Sequence, residues 1–595
     1  MSYIRKFVLF TFLVTILASS CIGSVLSQSV ELVLEWEQHW ETYGVGGTCN
    51  FGTHNFFIGD IDGDGVMELI TGGYMYESEN YTWNDMYAPL RIWNWDGTNF
   101  HNEKDYYWRG MIASICAGDA DGDGTIELLT AGMVGSDMGA FSAVRIWSWN
   151  NENLTLRAEY VGISAGSMFV SDVNDDGSPE ILTVGSAFGS GGSVTKLRIL
   201  KWNGTSEVER LASAEVQANS VYACDLNNDG ITEIVTGGYS GNDTNSGGQI
   251  CIWHFNEDTL TLIDNTEWKT VEDGYGVDIA GNPMGNTMVS NLKVGDVDDD
   301  GVPEIVTGGF SYDGEKVNAE LTIWSWDSQT LTFETNQTWQ SRDITEVKSM
   351  SLNDVDGDGS LDIVNSGFIG AYGGWGNETK PPEQAQLRVW SWNGETMTLK
   401  IGNDWDIGEG VTAWNVGTGD IDNDGTVEIV TVGCMYISNL CDPDLRIWSI
   451  AFDNTAPEIS DVTVSTEYDI TFNATVTDNL SGVKQVTLNY VYVNDMGTGS
   501  NNVNMTNIEG NVWSVAISQF LGNTTLTYTI TAEDNDGNVI TTNEVEYEYY
   551  VAPEASSPEL PLTLIAVALI ITLFAAATVV VIYRRRRKDV SNTVS

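Results

Sequence analysis

Seven times the chain repeats a short block in which side-chain oxygens fall at positions 1, 3, 5 and 9. The first three sets are Asp60, Asp62, Asp64 and Glu68; Asp119, Asp121, Asp123 and Glu127; and Asp172, Asn174, Asp176 and Glu180. The others are Asp225, Asn227, Asp229 and Glu233; Asp296, Asp298, Asp300 and Glu304; Asp354, Asp356, Asp358 and Asp362; and Asp420, Asp422, Asp424 and Glu428. Calcium, a hard cation that takes six to eight oxygens at roughly 2.3–2.6 Å, suits a tight loop of carboxylates. Position 6 is glycine in every copy, from Gly65 to Gly425, which frees the backbone to turn where a side chain would be strained. Up to seven Ca2+ ions are therefore expected. Binding should be weaker in the third and fourth copies, where Asn174 and Asn227 replace a carboxylate. An EF-hand is excluded because its bidentate Glu belongs at position 12, where these copies carry Thr71, Thr130, Thr183, Thr236, Thr307, Asn365 and Thr431. A plain acidic turn needs Asp and Gly, but not four oxygens in one register.

The elements that position these loops are strands. Block starts are separated by 59, 53, 53, 71, 58 and 66 residues, a spacing that signals a repeat architecture. Each block is preceded by a short strand and followed by a second (EIVTGG at Glu304). A tryptophan-bearing third (LTIWSW at Leu321) and an outer fourth (LTFETNQTW at Leu331) come next. Four strands per repeat predict an all-β chain with a seven-bladed β-propeller over residues 28–452. The last third strand, LRIWSI at Leu445, has no follower, while VELVLEWEQHW from Val30 has no blade before it. The two ends are expected to complete one blade, which removes an exposed edge. Trp93, Trp147, Trp324, Trp390 and Trp448 are read as packing between blades, with ligand stacking as the alternative. The turns between second and third strands fall on the face opposite the acidic loops. They carry Tyr74, Tyr76, Tyr81, Trp83 and Tyr87 in the first repeat and Phe368, Tyr372 and Trp375 in the sixth, as a binding surface or a covered rim.

The DxDxDGxxE blocks resemble the calcium loops of FG-GAP/VCBS repeats in integrin α-subunit propellers, over roughly residues 30–450. They differ in ending on Glu in every copy except the sixth, where Asp362 stands. The resemblance implies calcium in the loops and a ligand on the opposite face.

Outside the repeats, residues 1–27 have the charged, apolar and small-residue order of a secretory signal. Residues 453–551 alternate as short strands and predict an Ig-like β-sandwich, similar in TAPEISDVTVS and TAEDNDGN to modules of prokaryotic surface proteins. A linker over 552–561 leads to an uncharged run at 562–583, expected to be a transmembrane helix, and a basic tail at 584–595 expected on the cytoplasmic side. This predicts a single-pass membrane protein with its N-terminal domains outside the cell. Cys434 and Cys441 are the expected disulfide partners among the six cysteines left after signal removal.

The net charge of −58, with only 26 Lys and Arg, excludes nucleic acid as a partner and favours divalent cations. No nucleophile elbow, HExxH or phosphate loop is present. The first expectation is a non-enzymatic, calcium-binding adhesion protein with an extracellular protein or glycan ligand. The alternatives are a polysaccharide-degrading ectoenzyme, lyase or hydrolase, and a structural envelope component. A basic group beside carboxylates would favour the enzyme, and Lys269, Arg342 and Lys348 are the basic candidates.

Overall fold

The computed structural model describes residues 30–39, 56–76, 86–550 and 569–580. Short segments are left out at 96–98, 137–138, 151–152, 164, 187–194, 242–245, 257, 272–275, 278–282, 372–381, 407–409, 438–439, 453–454, 467–468, 479–481 and 536. The expected signal, linker and tail therefore lie outside the described residues, as do Tyr81, Trp83, Tyr372 and Trp375. The chain divides into one compact unit at Val30–Phe452 and a second that begins at Asp453.

The first unit is built from four-stranded antiparallel arrays, and each acidic block joins the first strand of an array to its second. The fifth array shows the pattern: Thr287–Gly295, Glu304–Tyr312, Val317–Trp326 and Leu331–Trp339, each paired antiparallel with the next. Second and third strands are buried almost throughout, while fourth strands alternate between exposed and half-buried positions. The first array runs straight into the second because one strand, Phe100–Gly118, pairs with Met86–Trp95 through its first half and with Glu127–Ser136 through its second. At the end of the unit, Val30–His39 pairs antiparallel with Leu440–Phe452, register Val30 to Phe452 and His39 to Asp444. The N-terminal strand thus supplies the fourth member of the last array. Core clusters form where neighbouring arrays face one another, as when Val306, Leu321 and Ile323 of the fifth meet Met350, Trp390 and Met397 of the sixth.

Position 12 of each block has a structural task. The indole of the third-strand tryptophan donates to it: Trp93 to Thr71 at 2.9 Å, Trp147 to Thr130 at 2.9 Å, Trp253 to Thr236 at 3.0 Å, Trp324 to Thr307 at 3.2 Å, Trp390 to Asn365 at 2.8 Å and Trp448 to Thr431 at 3.0 Å. These tryptophans pack in the core, so the inter-repeat reading holds for them. The third copy is the exception. Leu200 stands where the others have tryptophan, and the Thr183 hydroxyl is buried without a partner.

The second unit contains two antiparallel sheets, of four and five strands. They share one core in which every second residue of Ile470–Thr477 and Thr524–Asp534 is buried. Phe472 and Tyr528 meet at its centre, ring centroids 4.9 Å apart.

The expected membrane anchor requires correction. Residues 569–580 form a helix, which at about 1.5 Å per residue covers about 18 Å of the roughly 30 Å hydrocarbon core. Among the described residues, no helix is long and apolar enough to cross a membrane. The uncharged run was long enough on paper, but the described helix occupies only its middle, so a single-pass anchor is not retained.

Candidate functional site: acidic loops, a central cavity and a buried ion pair

The seven blocks fold alike because backbone amides gather around their first carboxylate. Asp60 accepts from Gly63 N at 2.6 Å and Asp64 N at 3.2 Å through Oδ1, and from Gly65 N at 2.9 Å through Oδ2. The amide of the position-6 glycine reaches the first Asp in all seven copies, at 2.8–3.0 Å. That glycine has positive φ throughout, from 83° at Gly177 to 96° at Gly359. Position 4 is left-handed as well, and there the chain uses Gly63, Gly122, Asp175, Asn228, Asp299, Gly357 and Asn423, the residue types that tolerate that conformation. The sequence reading missed this requirement, although the restriction to Gly, Asn and Asp was visible.

Position 9 is buried in every copy, and its carboxylate accepts from the amide of position 2. The distances are 3.0 Å from Ile61 to Glu68, 3.0 Å from Ala120 to Glu127, 3.2 Å from Val173 to Glu180 and 3.0 Å from Leu226 to Glu233. They are 3.0 Å from Val297 to Glu304, 3.3 Å from Val355 to Asp362 and 2.9 Å from Ile421 to Glu428. Burial pushes these acids up: Glu68 and Glu304 to about 8; Glu127, Glu233 and Glu428 to about 7; and Asp362 to about 6. The position-2 amide opposes the shift, with Lys400 opposing it more strongly at Asp362, and neighbouring loop carboxylates add to it in these copies.

Five loops bring three acids together with oxygens within 4.8 Å of one another: Asp60, Asp62 and Glu68; Asp119, Asp121 and Glu127; Asp296, Asp298 and Asp300; Asp354, Asp356 and Asp362; and Asp420, Asp422 and Glu428. These acidic groups could hold metal ions, and calcium is compatible with them. A test of fit comes from orphaned oxygens. Glu68 Oε1, Asp121 Oδ1 and Asp296 Oδ1 are buried without a hydrogen-bond donor, a costly state that a cation would relieve. The two loops with Asn at position 3 form no such group among the described residues.

The first strands of the arrays converge on one cavity of about 390 Å3, lined by Phe56–Ile58, Ile115–Ala117, Ser167–Val170, Ser220–Tyr222, Asn291–Lys293, Ser349–Ser351 and Asn415–Thr418. A small polar residue recurs five places before each block: Ser114, Ser167, Ser220, Asn291, Ser349 and Asn415 in the described strands. Five of these follow a β-bulge that reorients the strand. Several stitch one inner strand to the next. Ser167 Oγ accepts from Val221 N at 3.3 Å, and Ser220 Oγ from Leu292 N at 3.2 Å. Lys293 is the sole charged side chain among the lining residues, and burial lowers its pKa.

On the sixth inner strand, Ile344–Asn353, a second cluster stands away from the acidic loop and beside Ser349. Lys348 Nζ lies 2.5 Å from Glu346 Oε2, and Glu346 is fully buried. The ammonium also sits 5.3 Å from the Phe368 ring centroid and 5.4 Å from that of Trp414. Glu346 Oε1 and Trp414 Nε1 are buried without hydrogen-bond partners. Of the other basic candidates, Arg342 donates to the Pro382 carbonyl. Lys269 is not part of this cluster. Cys434 is disulfide-bonded.

Compared with known proteins, the chain matches no family model and no curated protein. The resemblance to integrin α-subunits gains no support from either comparison. Solved structures similar to it include an exotype rhamnogalacturonan lyase, YesX, at 12% identity and TM-score 0.34, covering 85% of this chain and 90% of that one. A Bacillus licheniformis rhamnogalacturonan lyase, PL11, matches at 12% identity and TM-score 0.29, with 68% and 91% covered. Sqt1 from Chaetomium thermophilum matches at 10% identity and TM-score 0.29, with 58% and 90% covered. Two of these structures are named as lyases, so the expectation of a non-enzymatic chain gains no support from the comparisons. Likeness at this level assigns no activity.

Proposed function

We propose that the chain is a calcium-binding seven-bladed β-propeller, followed by an Ig-like sandwich, that degrades a uronate-containing polysaccharide. The observation that carries the activity is the Glu346–Lys348 pair, its ammonium beside the Phe368 and Trp414 rings, with a buried acceptor and a buried donor left unmatched. A carboxylate beside an ammonium suits elimination next to a uronate carboxyl group. The carboxylate takes the proton α to that group, and the electron pair left behind forms the C=C bond as the β C–O glycosidic bond breaks. The departing oxygen takes a proton from water, and the ammonium stabilises the charge that develops beside the uronate carboxyl group. Glycoside hydrolysis calls instead for two carboxyl groups across the bond, and this cluster offers one. Of the two rings Phe368 is buried in the core, and half-buried Trp414 is the one with an apolar face left for a sugar.

Support for the propeller comes from the convergence of the inner strands on one cavity and from the completion of the last array by Val30–His39. Support for calcium comes from the acid groups and the orphaned oxygens of the loops. The test is incubation of the full chain with polygalacturonate and alginate in calcium buffer, following unsaturated uronate by absorbance and new reducing ends in parallel. Unsaturated product that disappears in Glu346→Gln supports the lyase. Reducing ends without unsaturation point to a hydrolase. Binding without product would reinstate a ligand-binding protein and overturn the enzymatic reading.

A further inference from the structure

Two of the seven loops already contain a cation of their own. In the sixth, Lys400 Nζ lies 2.5 Å from Asp356 Oδ2, 2.8 Å from Asp358 Oδ2 and 2.9 Å from Asp362 Oδ1, touching the acids at positions 3, 5 and 9 at once. The contact to Asp362 is an ion pair outside hydrogen-bond geometry, since that oxygen has no hydrogen-bond donor. In the third, Lys201 Nζ lies 2.9 Å from Asp176 Oδ2 and 3.5 Å from Glu180 Oε1, at positions 5 and 9. There the Asn174 amide closes the set by donating to Glu180 Oε1 at 3.2 Å.

The two lysines come from different places, Lys201 from the third strand of its array (Thr195–Trp202) and Lys400 from the fourth strand of its own (Met397–Trp405). They arrive at the same point of the loop by separate routes. For the third loop the contrast with the loops that lack a lysine is direct. Glu68 Oε1, Asp121 Oδ1 and Asp296 Oδ1, in the first, second and fifth loops, are buried oxygens without donors, whereas the Glu180 oxygens are all engaged. A basic residue near the loop is not enough. Arg157 occupies the place equivalent to Lys400 in the second array, because Trp147 pairs with Leu156 as Trp390 pairs with Leu399. Its guanidinium stands 5.9 Å over the Trp202 ring instead.

We infer that Lys201 and Lys400 are built-in substitutes for calcium, so that the third and sixth loops are closed by a tethered ammonium and take no ion. This rests on the calcium reading of the remaining loops. A tethered ammonium keeps two loops folded at any calcium concentration, and removal of calcium then loosens only the others.

The experiment is equilibrium dialysis of the full chain with calcium alone, counting bound ions per chain. The wild type is expected to bind no more than five. Lys201→Met and Lys400→Met, folded in calcium as judged by circular dichroism, are each expected to bind one ion more, and the double variant two more. Six or seven ions on the wild type would overturn the inference while leaving the calcium reading intact. Unchanged counts in folded variants would do the same. No bound ion at all would overturn both. If a variant fails to fold, the wild-type count alone decides.

Discussion

Burial of a carboxylate at position 9 raises its pKa because the charged form loses water, and the position-2 amide, joined in some copies by a Thr hydroxyl or a lysine, offsets only part of the loss. The consequence for pH is calculable. Glu68, Glu127, Glu233, Glu304 and Glu428 have ordinary values near 4.5 and folded values of about 7 to 8 when no ion is present. Between those limits the folded chain holds more protons than the unfolded one, so stability falls as pH rises. Their contribution is fully present below about 4.5 and is lost as pH climbs through about 7 to 8. Chelated protein should therefore melt at progressively lower temperature from pH 5 to pH 8. A melting temperature that rises steadily over that range would show that these acids are not held neutral. Much of the loop was legible from composition alone, because the four oxygens and the glycine are fixed by type. The Lys201 and Lys400 contacts were not, because they depend on which strand passes over the loop, and a lysine in a strand has no periodic signature.

Each array depends on its neighbours for burial, and the last depends on the first strand of the chain. Leu32 and Trp36 of Val30–His39 pack against the cores around Trp448 and Ile447, and Arg446 pairs with Glu37 at 3.4 Å. Removing residues 30–39 would uncover the ladder edge of Leu440–Phe452 and part of both cores. The truncated chain is expected to melt at least several degrees lower and to self-associate through that edge. A monomer with unchanged melting would mean that the pairing contributes little. This closure was readable in the sequence because one array lacked a fourth strand and an orphan strand stood at the other end. The single strand at Phe100–Gly118 that serves two arrays was not readable, since the only mark where pairing passes from one array to the next is Gly110, at positive φ, and a lone glycine in a glycine-rich chain does not announce such a switch. The polar ring from Ser114 to Asn415 was hidden for another reason. All of its described members but Ser167 follow bulges, and a bulge shifts a residue to the other face of the strand without altering the pattern around it.

For the whole molecule, the acidity and the repeats form one account. A chain with formal charge −58 repels itself, and its acids concentrate in loops where several are buried and close together. Divalent ions that bind only the folded form would relieve that repulsion. At about a hundred times the dissociation constant, each site would add about 2.7 kcal/mol to stability. The Glu346–Lys348 cluster, at a distance along its strand from the acidic loop, depends on that scaffold for its position and not on the ions for its chemistry. The expected membrane span is not retained because, among the described residues, no helix is long and apolar enough to cross a membrane.

The most direct measurement is the melting temperature of the full chain at pH 8, in calcium and in chelator, with magnesium as control. The account predicts a large rise with calcium that grows with its concentration, and a smaller one with magnesium, which dehydrates reluctantly and demands octahedral geometry. Equal melting with and without calcium would contradict it.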